Sequence, residues 1–327
     1  MATKQTWLIP PLHFLLFICV LITLTTTTVA EPIKIATKRI QLNTENPLTT
    51  TVGRFIYLGG FEMQSDAAQF GGFSSLGVSS DGNRLVTISD VGKRLAATLR
   101  YDRQGNLIGL ESAQLDSLSD RSGKPLSTKQ YADAEAMSPG VKGEIIVAFE
   151  RTHRLWRYLP NETIPLPLVA PIELAKLPVN SGIEALTLLD DGSLFAISEG
   201  SKGTNHAIAW ISDPSGWSVM TYGTNGGFRA SGAATLPDGD VLVLERRYTL
   251  RDGTAIRINQ INNEAIKPGA HLKGQLLAEF RYPINVDNFE GIEVRRNKKG
   301  QTLIYIISDN NFNPMQRNLL MMFMLIT

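Results

Sequence analysis

The C-terminal part of the chain contains the stretch Val286-Asp287-Asn288-Phe289-Glu290-Gly291-Ile292 and, after a polar tract, Leu303-Ile304-Tyr305-Ile306-Ile307-Ser308-Asp309-Asn310-Asn311-Phe312. Glu290 opens a short apolar segment, Gly300 lies in the turn that follows, and Asp309 ends a second apolar segment. Two apolar segments around a glycine-containing turn predict a β-hairpin. The hairpin carries one carboxylate at each of its two open ends.

Four other segments resemble this hairpin, and all five have a first apolar strand, a turn and a second apolar strand. The copies start at Ser74, Glu135, Glu184, Gly232 and Glu290, at intervals of roughly 50 to 60 residues. After each hairpin comes another strand-like segment, at Arg94–Tyr101, Arg154–Tyr158, His206–Ile211, Ala255–Ile261 and Leu319–Ile326. A repeat of this length that contains several strands is typical of the blades of a β-propeller.

The repeats therefore predict an all-β fold, a single β-propeller of five to six blades. Apolar and polar residues also alternate in 33–42 and 54–63, which predicts strands before the first copy. These N-terminal strands either pair with the C-terminal strands and close the ring, or form part of a sixth blade. We predict no long helix, because no long segment after residue 30 has an apolar stripe of period 3.6.

Residues 1–30 are predicted to be a secretory signal peptide. Lys4 precedes an apolar run over 7–24, and small residues lead to Ala30, after which cleavage is expected. The run approaches the length of a membrane span, so an uncleaved anchor is the alternative. Pro10 and Pro11 interrupt the run and favour cleavage. We expect a periplasmic or secreted monomer, with residues 31–327 as one propeller domain and no other membrane contact.

The composition excludes several classes of site. The one cysteine of the chain, Cys19, lies in the predicted signal peptide, so the exported part has no disulfide, thiol nucleophile or cysteine-ligated metal. Lys and Arg number 32 against 31 Asp and Glu, and this balance argues against nucleic acid as a partner. The sequence contains no P-loop, G-x-G-x-x-G or H-E-x-x-H motif.

Acidic residues recur at the open ends of the five hairpins. The start of the first strand lies beside the end of the second in an antiparallel hairpin, so we expect these positions to surround the central channel on one face. Carboxylates occupy eight of the ten positions, which are Ser74, Glu135, Glu184, Gly232 and Glu290 at the starts and Asp90, Glu150, Glu199, Glu245 and Asp309 at the ends. Crowded carboxylates raise one another's pKa or require a cation.

The cation predicted here is Ca²⁺, a hard ion that takes several oxygen ligands. The predicted ligands are Glu135, Glu184, Glu290, Asp90 and Asp309. Zinc is disfavoured, because the histidines after residue 30 show no ligand spacing. The alternative interpretation is that acidic residues after a strand only begin turns by accepting hydrogen bonds from nearby backbone amides.

Basic residues follow several of these carboxylates. We predict that Arg151, Arg246 and Arg317 bind the substrate, since arginine holds phosphate or carboxylate groups through two parallel hydrogen bonds. The alternative is that these arginines form ion pairs that hold blades together, for example Glu150 with Arg151 or Arg154.

Five segments together resemble the phytase-like ("esterase-like activity of phytase") family of exported bacterial proteins, and the resemblance covers roughly residues 50–327. The segments are Gly72–Leu76, Asp133–Met137, Gly182–Leu186, Asp287–Ile292 and Ser308–Phe312, with Gln316 and Arg317 after the last. The resemblance implies a propeller like that of the β-propeller phytases, where acidic residues of the channel bind calcium ions that activate water and hold phosphate. The fourth copy departs from the pattern, with Gly232 where the second, third and fifth copies carry Glu.

We therefore expect an exported, Ca²⁺-dependent hydrolase that acts on a small anionic ester, either a phosphate ester or another ester. Two alternatives stay open at this point. One is a non-enzymatic propeller that binds a partner and holds Ca²⁺ for structural reasons. The other is a different metal-dependent propeller activity, such as lactone hydrolysis.

Overall fold

The computed structural model describes Met1 and residues 31–200 and 203–326. The predicted signal peptide lies outside the described residues, apart from Met1. Within the described part, no helix has the length and apolar character needed to cross a bilayer.

Strands make up nearly all of the regular structure. In chain order they are β1 (Glu31–Pro32), β2 (Ala36–Arg39), β3 (Thr51–Val52), β4 (Phe55–Gln64), β5 (Gly77–Val78), β6 (Arg84–Ile88), β7 (Lys93–Tyr101), β8 (Leu107–Ser117), β9 (Ala134–Pro139), β10 (Ile145–Phe149), β11 (Arg154–Tyr158), β12 (Leu166–Leu168), β13 (Ile183–Leu188), β14 (Leu194–Ser198), β15 (His206–Asp213), β16 (Gly216–Gly223), β17 (Arg229–Thr235), β18 (Val241–Thr249), β19 (Gly253–Ile261), β20 (His271–Lys273), β21 (Gln275–Arg281), β22 (Phe289–Arg296), β23 (Thr302–Ser308) and β24 (Asn318–Leu325). The helical segments are short: α1 (Lys129–Ala132) and two 3₁₀ turns at Ile172–Lys176 and Asn263–Ala265.

The strands form five antiparallel blades, which confirms the predicted propeller. Blade 1 contains β5 to β8 with β1 at its outer edge, and blade 2 contains β9 to β12. Blade 3 consists of β13 to β16, with β20 added in parallel at its edge, and blade 4 consists of β17, β18, β19 and β21. Blade 5 contains β22, β23 and β24, and the inner strands β5, β9, β13, β17 and β22 are neighbours around the axis.

The N-terminal strand β4 closes the ring by pairing with the C-terminal strand β24. The pairing runs from Phe55 opposite Leu325 to Met63 opposite Asn318. Strands β2 and β3 then pair with β4, so the N-terminal segment completes blade 5 and does not form a sixth blade. The predicted pairing of the two ends of the chain is confirmed.

The hydrophobic core is divided among the interfaces between adjacent blades. Ile88 of blade 1 packs in one cluster with Val147 of blade 2, and Leu155 of blade 2 packs in another with Trp210 of blade 3. Both faces of a blade are covered by neighbours, so a central strand such as Ile145–Phe149 is buried at every residue. This explains why the second strand of each hairpin reads as a continuous apolar run.

The inner strand of four blades has a β-bulge at the same level, where one residue has no partner on the second strand. The bulged residues are Glu135, Glu184, Ser231 and Glu290, and Ser74 takes the corresponding place in blade 1. A bulge of this kind bends the strand and redirects a side chain. The predicted assignment of Gly232 to this position is wrong by one residue, because Gly232 pairs with Leu244 and Ser231 is the bulged residue.

Candidate functional site

A second set of equivalent positions lies beside the bulges. In each blade, one residue of the second strand pairs with the residue that precedes the bulge, and the position in question is the next residue along the chain. We call these the exit positions, and they hold Asp90, Glu150, Glu199, Arg246 and Asp309. In blades 1, 2, 3 and 5 the exit residue donates its backbone N–H to the carbonyl of the residue opposite, as Glu150 does to Asp133 at 2.7 Å. The bulge and exit positions together form a ring around the channel, which we call the acidic ring.

Glu245 does not belong to the acidic ring, contrary to the prediction. It pairs with Ala230 inside β18, and this strand continues to Thr249, whereas the other second strands end before their carboxylate. Its side chain is therefore buried between blades 3 and 4, where Tyr222 and Asn259 hydrogen-bond to it and burial raises its pKa. The exit position of blade 4 carries Arg246 instead.

Three carboxylates of blade 2 converge most closely. Asp133, Glu135 and Glu150 each place one oxygen within 4.8 Å of the others, and no other such group occurs among the described residues. Asp133 is fully buried and is held by Lys129 at 2.5 Å and Arg151 at 2.6 Å. The sequence prediction named Glu135 as a ligand and missed Asp133. The position of Asp133, two residues before Glu135, is the feature of the sequence that could have indicated it.

Glu135 and Glu184 form no ion pair among the described residues, and the charge of Arg246 acts on Glu184 only from beyond ion-pair distance. Both lie at bulge positions, and no lysine, arginine or histidine of the described chain approaches either within 4.0 Å. Burial raises the pKa of Glu135 well above its usual value, and the charge of Glu184 raises it further. The pKa of Glu184 is raised in the same way by burial and then by Glu150. This side of the ring therefore needs a proton or a cation.

The rest of the ring is partly compensated by basic groups. Arg246 places Nε 3.3 Å from Glu290 Oε1, and Asn288 donates a hydrogen bond to the same oxygen at 2.7 Å. Lys129 contacts Asp90 Oδ2 at 2.7 Å, while Asp90 Oδ1 is buried without a hydrogen-bond partner among the described residues.

Asp309 completes this part of the ring. Burial, followed by the charge of Glu290, raises the pKa of Asp309 to about 8. On the blade 2 side, burial and then the charge of Asp133 raise the pKa of Glu150 to about 7. Both groups therefore exchange protons near neutral pH.

The three predicted substrate-binding arginines differ in their contacts. Arg151 is bound to Asp133, and Arg317 is bound to Asp287 at 3.0 Å and donates to Asn285. Among the described residues, Glu150 forms no ion pair with Arg151 or Arg154. Arg151 contacts Asp133 instead, and the guanidinium of Arg154 lies 3.9 Å from the centroid of the Phe149 ring. Arg246 alone lies on the ring and also lines a cavity.

The channel narrows directly behind the ring. Small residues of the inner strands, including Ser75, Gly232 and Gly291, line a cavity of about 10 Å³ there together with Glu184 and Glu290. Such a space has room for about one water molecule. A ligand of the acidic ring must therefore approach from the face on which the ring opens.

Comparisons with known proteins agree with the motifs quoted above. The phytase-like family model, described as "Esterase-like activity of phytase", matches residues 68–312, which is more than half of the chain. No curated protein sequence matches the chain.

Several solved structures are similar to this chain at low identity. A protein of unknown function from Dyadobacter fermentans is 13% identical, with a TM-score of 0.41 over 91% of this chain and 97% of that one. Virginiamycin B lyase from Staphylococcus aureus is 12% identical, with a TM-score of 0.40 over 85% of this chain and 87% of the lyase. The PQQ-bound aldose sugar dehydrogenase from Streptomyces coelicolor is 12% identical, with a TM-score of 0.44 over 90% of this chain and 100% of the dehydrogenase.

Family membership rests on the sequence match, which begins before the first hairpin copy and extends into the last. The matched residues include both Glu135 and Glu184 of the acidic ring as well as Glu290 and Asp309. The chain belongs to the phytase-like family.

Proposed function

We propose that the protein is a hydrolase of ester bonds that depends on a divalent cation, with Ca²⁺ the best candidate, bound at the acidic ring. The single observation that carries this proposal is that two neighbouring carboxylates of the channel, the partly buried Glu135 and the buried Glu184, form no ion pair among the described residues. Isolated buried charges are unfavourable, and proteins retain them mainly where a proton, a ligand or a metal compensates them. The family description supports ester hydrolysis as the reaction class.

The donor set of the ring fits Ca²⁺. The oxygens of Asp133, Glu135 and Glu150 lie within 4.8 Å of one another, and Glu184 interacts electrostatically with both Glu135 and Glu150. Oxygen donors of this kind suit Ca²⁺ and Mg²⁺ far better than zinc. In this proposal the blade 2 side of the ring holds the ion, and Glu290, Asp90 and Asp309 supply further acidic groups nearby.

The ring residues would contribute to catalysis in two ways. A bound divalent cation would offset the clustered negative charge and withdraw electrons from an ester oxygen. Glu150, whose pKa is raised to about 7 without the ion, can lose its proton at neutral pH and become a ligand of the cation. Arg246, at the opposite side of the ring, would orient an anionic substrate.

A turnover assay tests the proposed function. Purified protein is incubated with an aryl phosphate, phytate and an aryl acetate, each with Ca²⁺ and with excess chelator. We expect turnover of at least one substrate with Ca²⁺ and loss of that turnover with chelator. Glu135→Gln should lower kcat/KM by about 100-fold or more, a magnitude common for loss of a group that stabilises transition-state charge.

The matched control is Glu162→Gln, which changes an exposed glutamate in a turn of blade 2. This variant should keep the wild-type rate. Turnover that is unaffected by chelator would contradict the proposal. A cation-dependent rise in melting temperature without turnover of any ester would instead support a binding propeller with a structural ion.

A further inference from the structure

Blade 4 differs from the other blades in the sign of its charges. Its exit position carries Arg246, where the other four blades carry Asp or Glu. The residue opposite the exit position is Arg229, where blade 2 has Asp133 and blade 5 has Asn288. Its bulge position holds Ser231, which is neutral. The acidic ring is thus interrupted by one positively charged blade.

A cavity of about 350 Å³ lies at this interruption, between blades 3 and 4. Three arginines line it, Arg229, Arg246 and Arg247, and Glu199 is the only acidic residue among its described lining residues. Because Arg246 and Glu199 also occupy exit positions, the cavity opens directly beside the acidic ring. Its local charge is therefore opposite to that of the ring.

The arginines retain donors that the protein itself does not use. Arg246 contacts Glu290 through Nε, and its two terminal nitrogens donate no hydrogen bond to the described residues. Arg229 uses Nη1 for Glu199 at 2.7 Å and likewise leaves its other terminal nitrogen without an acceptor in the described chain. Arg247 Nη2 lies 3.7 Å from Asp252 Oδ2, and Arg247 Nε is buried and has no hydrogen-bond partner among those residues. Of these donors, Arg247 Nε is the buried one, and a buried donor without a partner requires a compensating acceptor.

Local packing holds Arg247 in place. The ring of Phe228 is almost completely buried, and the guanidinium of Arg247 lies 4.8 Å from its centroid. Arg257 lies over the same ring at 3.9 Å, and Arg247 Nη1 donates to the carbonyl of Gly226 at 3.1 Å. A planar guanidinium fixed in this way loses little entropy when it binds a ligand.

We propose that the cavity lined by Arg229, Arg246 and Arg247 is an oxyanion-binding subsite that takes a phosphate or carboxylate group of the ligand. Guanidinium groups recognise both anions through paired N–H donors, and charge-assisted hydrogen bonds of this type are the strong ones. The proposal deepens the proposed function and rests on it for the identity of the ligand as a substrate. It assigns the anion to blade 4 and the cation to blade 2, on opposite sides of one channel mouth.

Calorimetric titration of inorganic phosphate into protein kept in chelator tests the subsite without any metal. We expect one saturable site per chain. Arg229→Gln and Arg247→Gln should each weaken phosphate binding by about tenfold or more, since each removes a charge-assisted hydrogen bond. Arg103→Gln, which changes an exposed arginine in a turn of blade 1, should change the affinity by less than about twofold. Arg247→Lys keeps the charge and should lose affinity through the missing fork geometry.

A parallel titration with acetate identifies the preferred anion, and saturable binding of either anion that weakens in the two glutamine variants supports the subsite. Urea unfolding of each variant shows that the loss is not one of folding. The absence of saturable binding for both anions would overturn the proposal, as would phosphate binding that requires Ca²⁺ or that persists in both variants. A Ca²⁺ titration without phosphate reports separately on the acidic ring, so failure of the subsite and failure of the proposed function give different results.

Discussion

Individual carboxylates in and beside the acidic ring differ in how their charge is compensated. Asp133 is matched by Lys129 and Arg151, whereas Glu135 and Glu184 have no basic neighbour within the limits of an ion pair in the described chain. Burial of an unpaired charge costs several kcal/mol unless the group takes up a proton or binds an ion. The residues that look most alike in the sequence therefore have different roles in the folded protein.

The raised pKa values predict how metal-free stability depends on pH. Burial raises the pKa of Asp309 from its ordinary 3.8 to about 8 in the folded protein, and that of Glu150 from 4.5 to about 7. The folded state therefore binds more protons than the unfolded state between about pH 4 and pH 8, so the free energy of unfolding decreases as the pH rises through this range. In chelator, we expect the urea midpoint to fall between pH 5 and pH 8.

Substitution separates this effect from general pH sensitivity. Asp309→Asn removes one buried titrating group, so its urea midpoint should fall less between pH 5 and pH 8. Asp66→Asn, at an exposed position, should follow the wild type. A midpoint in chelator that rises with pH over this range would show that the ring carboxylates are charged and compensated in the metal-free protein.

At the scale of strands, the β-bulges of the inner strands set the geometry of the ring. Each bulge places one residue without a cross-strand partner at the channel, at the same level in blades 2 to 5. The inner strands then lie close enough that residues beside the bulge must be small. Gly291 is such a residue, because a Cβ there would lie 2.6 Å from the Ser75 carbonyl carbon and 2.8 Å from the Leu76 nitrogen of blade 1.

We therefore expect Gly291→Ala to destabilise the protein by roughly 1–3 kcal/mol, since the methyl group meets the backbone of the neighbouring blade and overpacks the contact. Urea unfolding measures the change. Gly223→Ala is the matched control, because the nearest atom to its added Cβ is the Leu272 oxygen at an ordinary 3.4 Å. Equal stability of the two alanine variants would mean that the inner strands have more freedom than the structure indicates.

The sequence predicted the hairpins well because each has a glycine-containing turn between two apolar strands. It did not predict the bulges, since an unpaired residue leaves no mark on the pattern of apolar residues. In blade 4 this produced two errors of one position, Gly232 in place of Ser231 and Glu245 in place of Arg246. Both errors arose because the five copies were aligned by their charged residues and glycines and not by strand register. As a result, the sequence prediction did not place Arg246 at the exit position of blade 4.

At the scale of the whole molecule, closure of the ring depends on two strands from opposite ends of the chain. β4 and β24 pair over most of their lengths, and Phe323 of β24 is fully buried. Its ring lies 6.1 Å from that of Phe55, 5.6 Å from that of Tyr57 and 5.4 Å from that of Phe280 in blade 4. The sequence predicts strands at the N-terminus that either close the ring or form part of a sixth blade. Only the strand pairing in the structure distinguishes these two alternatives.

Phe323→Ala should therefore destabilise the protein by about 3–5 kcal/mol, the usual cost of truncating a buried phenylalanine. The free energy of unfolding from urea titration checks this value. Met315→Ala, which truncates a side chain that is 89% exposed, should have an effect within about 0.5 kcal/mol of zero. A similarly small effect of Phe323→Ala would mean that the β4 and β24 pairing is not required for the fold.

The central claim is that the acidic ring binds a divalent cation at carboxylates that form no ion pair within the described chain. Calorimetric titration of Ca²⁺ into chelator-treated and desalted protein at pH 8 tests it most directly, with Glu184→Gln compared with the exposed-site variant Glu162→Gln. We predict saturable Ca²⁺ binding by the wild type and by Glu162→Gln, and an affinity at least about tenfold weaker in Glu184→Gln. Absence of Ca²⁺ binding by the wild type, or equal affinity in Glu184→Gln, would contradict the claim.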